Sequence, residues 1–226
     1  MTKLRTITFA ILSCLMVLCA SSAAFSQGQG YDISSGGQPT ITGARNGSVS
    51  GSSDVKQNLT VTINFGEVSP VNTNGIVKVV VPVAVRSSQP YKVTVTIAGT
   101  FNINPLAIQS SDIGFGGNNM RPLGSKAQIC TGSNHIFYTP FNNDPTTTVT
   151  LNASGRATYQ SSLSNISGST TILSGPELTK NGGASRKDDD GWVFDVILAI
   201  TPQFYAPGTA SATLTFTIGA GPNVQC

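Results

Sequence analysis

Leu59, Val61, Ile63 and Phe65 occupy every second position between Asn58, Thr60, Thr62 and Asn64. A period of two puts the apolar set on one face of a β-sheet and the polar set on the other. Val77, Val79, Val81, Val83 and Val85 repeat the pattern, while Ile76, Val80 and Ala84 partly clothe the opposite face. That strand is therefore expected to be covered on both sides. Pro82 within it lacks a backbone donor and marks an edge, bulge or groove. After Ser87-Ser88-Gln89-Pro90, Tyr91, Val93, Val95 and Ile97 resume the alternation, which predicts a hairpin with the preceding strand. Near the end of the chain, Trp192, Phe194, Val196, Leu198 and Ile200 line one strand. Ala212, Leu214, Phe216 and Ile218 line another, with Pro207-Gly208 between them.

Shorter β signals fall at Leu106 to Ile108, Ile113 to Phe115, Ala127 to Cys130, Ile136 to Tyr138, Thr146 to Leu151 and Arg156 to Leu163. The polar stretch from Leu178 to Gly191 reads as a loop, and no helical period is sustained. Roughly eight to ten strands with frequent turns predict an all-β fold, an antiparallel immunoglobulin-like β-sandwich over residues 58–226. A closed barrel is the alternative, since alternation alone does not separate the two. Composition agrees: 24 Gly and 12 Pro in 226 residues favour turns over long helices, and only 10% of residues are charged.

Residues 1–26 have the form of a cleaved secretory signal peptide. Lys3 and Arg5 precede an apolar run from Ile7 to Ala20, and Ala24-Phe25-Ser26 offers a cleavage site. The run is too short to anchor the mature chain in a membrane. Residues 27–57 are rich in Gly, Ser and Gln, with isolated apolar positions including Tyr31, Ile33, Ile41, Val49 and Val55. This segment reads as a flexible arm or an extended strand needing a host.

Export changes the arithmetic of charge and sulfur. Without Lys3 and Arg5, 11 of the 13 basic residues remain against 10 acidic ones, which removes any electrostatic case for nucleic-acid or anionic-membrane binding. Of four cysteines, Cys130 and Cys226 survive cleavage. In an oxidising compartment they most simply form one disulfide, which would stabilise the fold by about 4 to 5 kcal/mol through loop closure. A buried free Cys130, or a Cys226 bonded to another chain, are the other arrangements.

Catalytic patterns are absent. His135 is the only histidine, and no H-E-x-x-H, C-x-x-C, P-loop or G-x-S-x-G spacing occurs. No enzyme activity and no cofactor are expected, and His135 reads as a surface or strand-edge residue. Gly114-Phe115-Gly116-Gly117 lacks the spacing of a dinucleotide site and reads as a turn or bulge. Asp188-Asp189-Asp190 offers hard oxygen ligands for Ca2+ but not EF-hand spacing, so a solvated loop is favoured and no metal site is assigned. Asp195 shares a strand face with Val193, Ile197 and Ala199. It is either buried beside an Arg or Lys or, as the pattern favours, exposed on a partly solvated face. Trp192 with Tyr91, Tyr138, Tyr159 and Tyr205 raises a carbohydrate-binding alternative, with core packing favoured for Trp192.

Three segments carry a resemblance: Ile63-Asn64-Phe65-Gly66-Glu67-Val68-Ser69-Pro70, Tyr91-Lys92-Val93-Thr94-Val95, and Tyr205-Ala206-Pro207-Gly208-Thr209 followed by Ala212-Thr213-Leu214-Thr215-Phe216. Together they resemble bacterial fimbrial subunits of the spore coat U-like and alternate chaperone–usher pilin groups. The resemblance implies an incomplete sandwich, filled by a strand from a periplasmic chaperone and then from the next subunit. The expected function is a secreted structural or adhesive subunit of a surface fibre, its partners being copies of itself, other fibre subunits and that chaperone. It would pass through the periplasm to the cell surface. Gln27 to Lys56 is the evident donor segment, with Ile41 and Val49 as its plugs, unless it folds back on its own domain. A monomeric extracellular carbohydrate-binding module is the alternative.

Overall fold

The computed structural model describes residues 30–55, 57–68, 75–100, 107–123, 132–177, 191–206 and 210–225. The expected signal peptide lies outside this set. Among the described residues, thirteen strands follow in chain order: β1 (Tyr31–Ser35), β2 (Thr40–Thr42), β3 (Ser48–Val55), β4 (Asn58–Asn64), β5 (Val77–Ser87), β6 (Tyr91–Thr100), β7 (Gly114–Pro122), β8 (Ile136–Phe137), β9 (Thr150–Leu151), β10 (Ala157–Thr158), β11 (Thr170–Gly175), β12 (Trp192–Ile200) and β13 (Ser211–Ala220). Helical structure among the described residues is confined to three-residue 3-10 turns.

The strands form two main antiparallel sheets. One has the order β1-β5-β12-β7, with β2 also paired to β5; the other has the order β3-β4-β13-β6-β11-β8. β9 and β10 make a separate two-stranded ribbon. Alternation explains why the two sheets share one core: Val79, Val83, Val85 and Phe194 from the first cluster with Leu59, Val61, Ile63, Leu214 and Phe216 from the second. The Thr rows of β4 and β13 lie opposite one another on the other face, where Thr60 and Thr62 contact Thr215 and Thr213 through their hydroxyls. β12 departs from simple alternation, because every residue from Trp192 to Ile200 is buried.

The hairpin expected between β5 and β6 does not form. β5 pairs with β1, β2 and β12, whereas β6 pairs with β13 and β11 in the other sheet. The intervening turn is a corner. Ser88 N–H donates to Gly30 O at the first sheet, and Gly221 N–H donates to Pro90 O at the second, so both sheets claim its backbone groups.

Pro82 sits where β1 gives way to β2. Its carbonyl accepts from Gly36 N–H at 2.8 Å, so that edge of Pro82 faces the interruption between the two short strands. A residue's N–H and C=O point to the same side of a strand, so the missing donor costs β5 nothing in its pairing with β12.

The glycine-rich run Gly114 to Gly117 is regular strand in β7. The shift in the β7–β12 register comes between Val193 and Asp195, opposite Arg121 and Asn118, and Asn119 there has φ 58°. The glycines serve close packing instead: a Cβ on Gly116 would lie 2.1 Å from Asn143 O. Of the shorter expected strands, Thr146 to Leu151 contributes only β9, and Arg156 to Leu163 only β10 before a 3-10 turn.

Candidate functional site

Two regions stand out, an N-terminal set of edge strands and a cleft at one end of the fold. Residues 30–55 add strands to both sheets of their own chain. β1 lies along β5 with Tyr31 and Ile33 buried in the core, and β3 lies along β4 at the edge of the second sheet. Ile41 and Val49, expected as plugs, are partly buried and pack against the margin of the core. Deeper filling comes from Ile33 and, beyond the expected arm, from Leu59, Val61 and Ile63 of β4. Burying three such side chains contributes about 5 to 9 kcal/mol. β4 covers the free side of β13, with Thr62 opposite Thr213 and Val61 opposite Leu214.

The junction after β4 is tightly defined. Gly66 has φ 65°, its N–H donates to Asn64 Oδ1 at 2.9 Å, and Glu67 N–H donates to Arg45 O. The segment that joins β2 to β3 therefore crosses directly over the exit of β4.

Polar groups in the arm also bind it. Asp32 and Arg86 are both buried, and Arg86 Nη1 donates to Asp32 Oδ2 at 3.1 Å and to Ser34 Oγ at 3.2 Å. The arm is thus seated by an ion pair as well as by backbone pairing.

The second region lies between the β9–β10 turn and the segment after β12. Ser154, Gly155, Arg156, Pro202, Gln203, Phe204 and Tyr205 line a cleft of about 500 Å³. Arg156 is clamped to the buried carboxylate of Asp112, with Nε donating to Oδ1 at 2.8 Å and Nη2 to Oδ2 at 2.6 Å. Gln203 Nε2 donates to Gly155 O at 3.0 Å and ties the two walls together. Tyr205 N–H donates to Gln203 O at 2.9 Å, closing a three-residue turn with Phe204 at its centre. That turn projects Phe204 outward, and the residue is 84% exposed. Below it, Thr201 N–H donates to Tyr159 Oη and Tyr205 Oη donates to Thr201 O. Burial pushes both phenols above their ordinary titration range, and the charge of Asp112 adds to the effect on Tyr205.

The remaining expected residues do not assemble into one site. His135 is buried, not superficial; its ring centroid lies 4.9 Å from Trp192 and 6.1 Å from Tyr91. Asp195 is likewise buried, not solvated, because the β7 irregularity brings Asn119 Nδ2 within 2.6 Å and Arg121 Nη2 within 2.9 Å of its carboxylate. Trp192 packs in the core, as its alternation indicated. Tyr138 lies on the second sheet, where its hydroxyl contacts Ser174, and only Tyr159 and Tyr205 of the five aromatics meet near the cleft. Cys130, Cys226 and Asp188 to Asp190 lie outside the described residues. Among the described residues, no three His, Cys, Asp or Glu side chains converge as a metal site.

Sequence reasoning missed Arg156, Gln203 and Phe204. The available signal was an aromatic pair, Phe204-Tyr205, in a segment without strand alternation between two strong strands. Comparisons with protein-family models, curated proteins and solved structures give no match to this chain.

Proposed function

We propose that this chain is an exported structural or adhesive subunit of a bacterial surface fibre, built as an immunoglobulin-like β-sandwich and joined to other copies by exchange of its N-terminal strands. In this reading residues 1–26 direct export, a periplasmic chaperone protects the open edge in transit, and Cys130 pairs with Cys226. The observation that carries it is the position of β4. This strand arrives early in the chain, supplies Leu59, Val61 and Ile63 to the core, and covers the free side of the final long strand β13. A strand of this kind completes the fold equally well when it comes from a neighbouring copy, because the pairing and the buried side chains are the same.

The exchanged unit in this reading is longer than Gln27 to Lys56. It includes β4, with Ile41 and Val49 as marginal contacts and Leu59, Val61 and Ile63 as the principal ones. The hydrogen bond from Asn134 Nδ2 to Gln225 O, at 3.3 Å, supports the proposed disulfide by bringing the residue before Cys226 next to the segment that follows Cys130.

Gentle extraction of the exported chain tests the assembly reading. Fibres, or a ladder of oligomers that survives detergent without heating, are expected. A discrete monomer at every concentration would contradict it.

A further inference from the structure

We propose that the cleft between the β9–β10 turn and the segment after β12 binds a neutral saccharide, with one face of a sugar ring on Phe204 and its hydroxyls on Arg156 and Gln203. The proposal concerns the single folded chain and stands whether or not the chain assembles into fibres.

Phe204 is the first reason. A phenylalanine that is 84% exposed forgoes the benefit of burial, and here a closed turn holds it outward. The C–H face of a pyranose is a flat apolar surface that stacks on such a ring.

Arg156 is the second. Asp112 takes Nε and one Nη2 proton, leaving the Nη1 donors and the second Nη2 proton directed away from the clamp. A guanidinium fixed in this way presents hydroxyl-binding donors with little ordering cost on binding. Its charge is balanced by the paired carboxylate of Asp112, so the guanidinium offers hydrogen-bond donors without a net positive charge, which favours a neutral sugar over an anionic one.

Gln203 is the third. Its Nε2 donates to Gly155 O, which orients the amide and joins the two cleft walls. The cleft volume of about 500 Å³ falls in the small-molecule range of roughly 300 to 1,000 Å³.

The test uses the mature exported chain with four immobilisable neutral disaccharides: lactose, cellobiose, mannobiose and diacetylchitobiose. Binding is followed by saturation-transfer NMR and calorimetry up to about 10 mM, which detects a Kd near 1 mM. At least one disaccharide is expected to bind. Phe204→Ala should weaken it by about tenfold or more without changing the melting temperature. Arg156→Lys retains the charge beside Asp112 but loses the fork, and should also weaken binding while the chain stays folded. Absence of binding to all four overturns the proposal. So does undiminished binding by Phe204→Ala, or a Phe204→Ala effect seen only in self-association, which would assign the ring to a contact between copies.

Discussion

Arg86 on β5 and Asp32 on β1 form an ion pair of 3.1 Å with 4% and 1% of their side chains exposed. A pair so fully removed from water differs in kind from the surface pair of Lys78 and Asp144, whose side chains are 37% and 21% exposed. Coulombic attraction is weakly screened in the first setting, and the pairing helps to offset the desolvation of both charges. The arm is therefore fixed to β5 in one register, with Asp32 opposite Arg86.

Asp32→Ala is expected to lower stability by about 3 kcal/mol or more, because it removes the carboxylate from a buried guanidinium. Urea unfolding measures the loss. A decrease below about 1 kcal/mol, the range of exposed pairs, would contradict this account of the seat.

Gly66→Ala is expected to cost at least about 2 kcal/mol. Gly66 has φ 65°, and a Cβ there would lie 2.3 Å from Arg45 O. Gly219→Ala in β13 is the control, since no atom lies within 4 Å of its Cβ position. It should change stability by no more than about 0.5 kcal/mol. Equal effects of the two substitutions would show that the crossing at Gly66 is not tight.

Asp144 provides a dependence on pH. Burial pushes its carboxyl upward, but the hydroxyl and backbone N–H of Thr146 and the charge of Lys78 outweigh that effect and hold it below the usual range. A group depressed in the folded state stabilises the fold above its unfolded value of about 3.9, and that contribution is lost as pH falls through the native value. Asp144→Asn should therefore cost about 0.5 to 1 kcal/mol at neutral pH. The difference from wild type should shrink below about pH 4. A difference that stays constant from neutral to acid pH would contradict the assignment.

The long strands were legible because alternation reports which side chains face a core. Their partners were not, since alternation does not say which neighbour a strand takes. β5 and β6 are adjacent in sequence and alternate alike, yet a corner bonded to Gly30 and Gly221 sends them to different sheets. β3 was obscure for another reason: Ser and Gly carry little apolar signal, and its pairing with β4 rests on backbone bonds. Asp195 was misread because its partner Asn119 is 76 residues away and is aimed by an irregularity in β7. The cleft depended on the same kind of distant pairing, with Asp112 fixing Arg156 across 44 residues.

The most direct test of strand exchange uses Thr62 and Thr213. Phe65 N–H donates to Ala210 O and Ile218 N–H to Gln57 O, so Thr62 and Thr213 fall at an intervening non-hydrogen-bonded pair, with their hydroxyl oxygens 3.3 Å apart. Such a pair suits a disulfide between strands. Chains carrying Thr62→Cys and chains carrying Thr213→Cys, differently tagged, are exported together and analysed by non-reducing mass spectrometry. The account predicts a disulfide joining the two substituted positions across differently tagged chains, and loss of fibres when both substitutions lock one chain internally. Formation of that bond only within the doubly substituted chain, and never between chains, would contradict it.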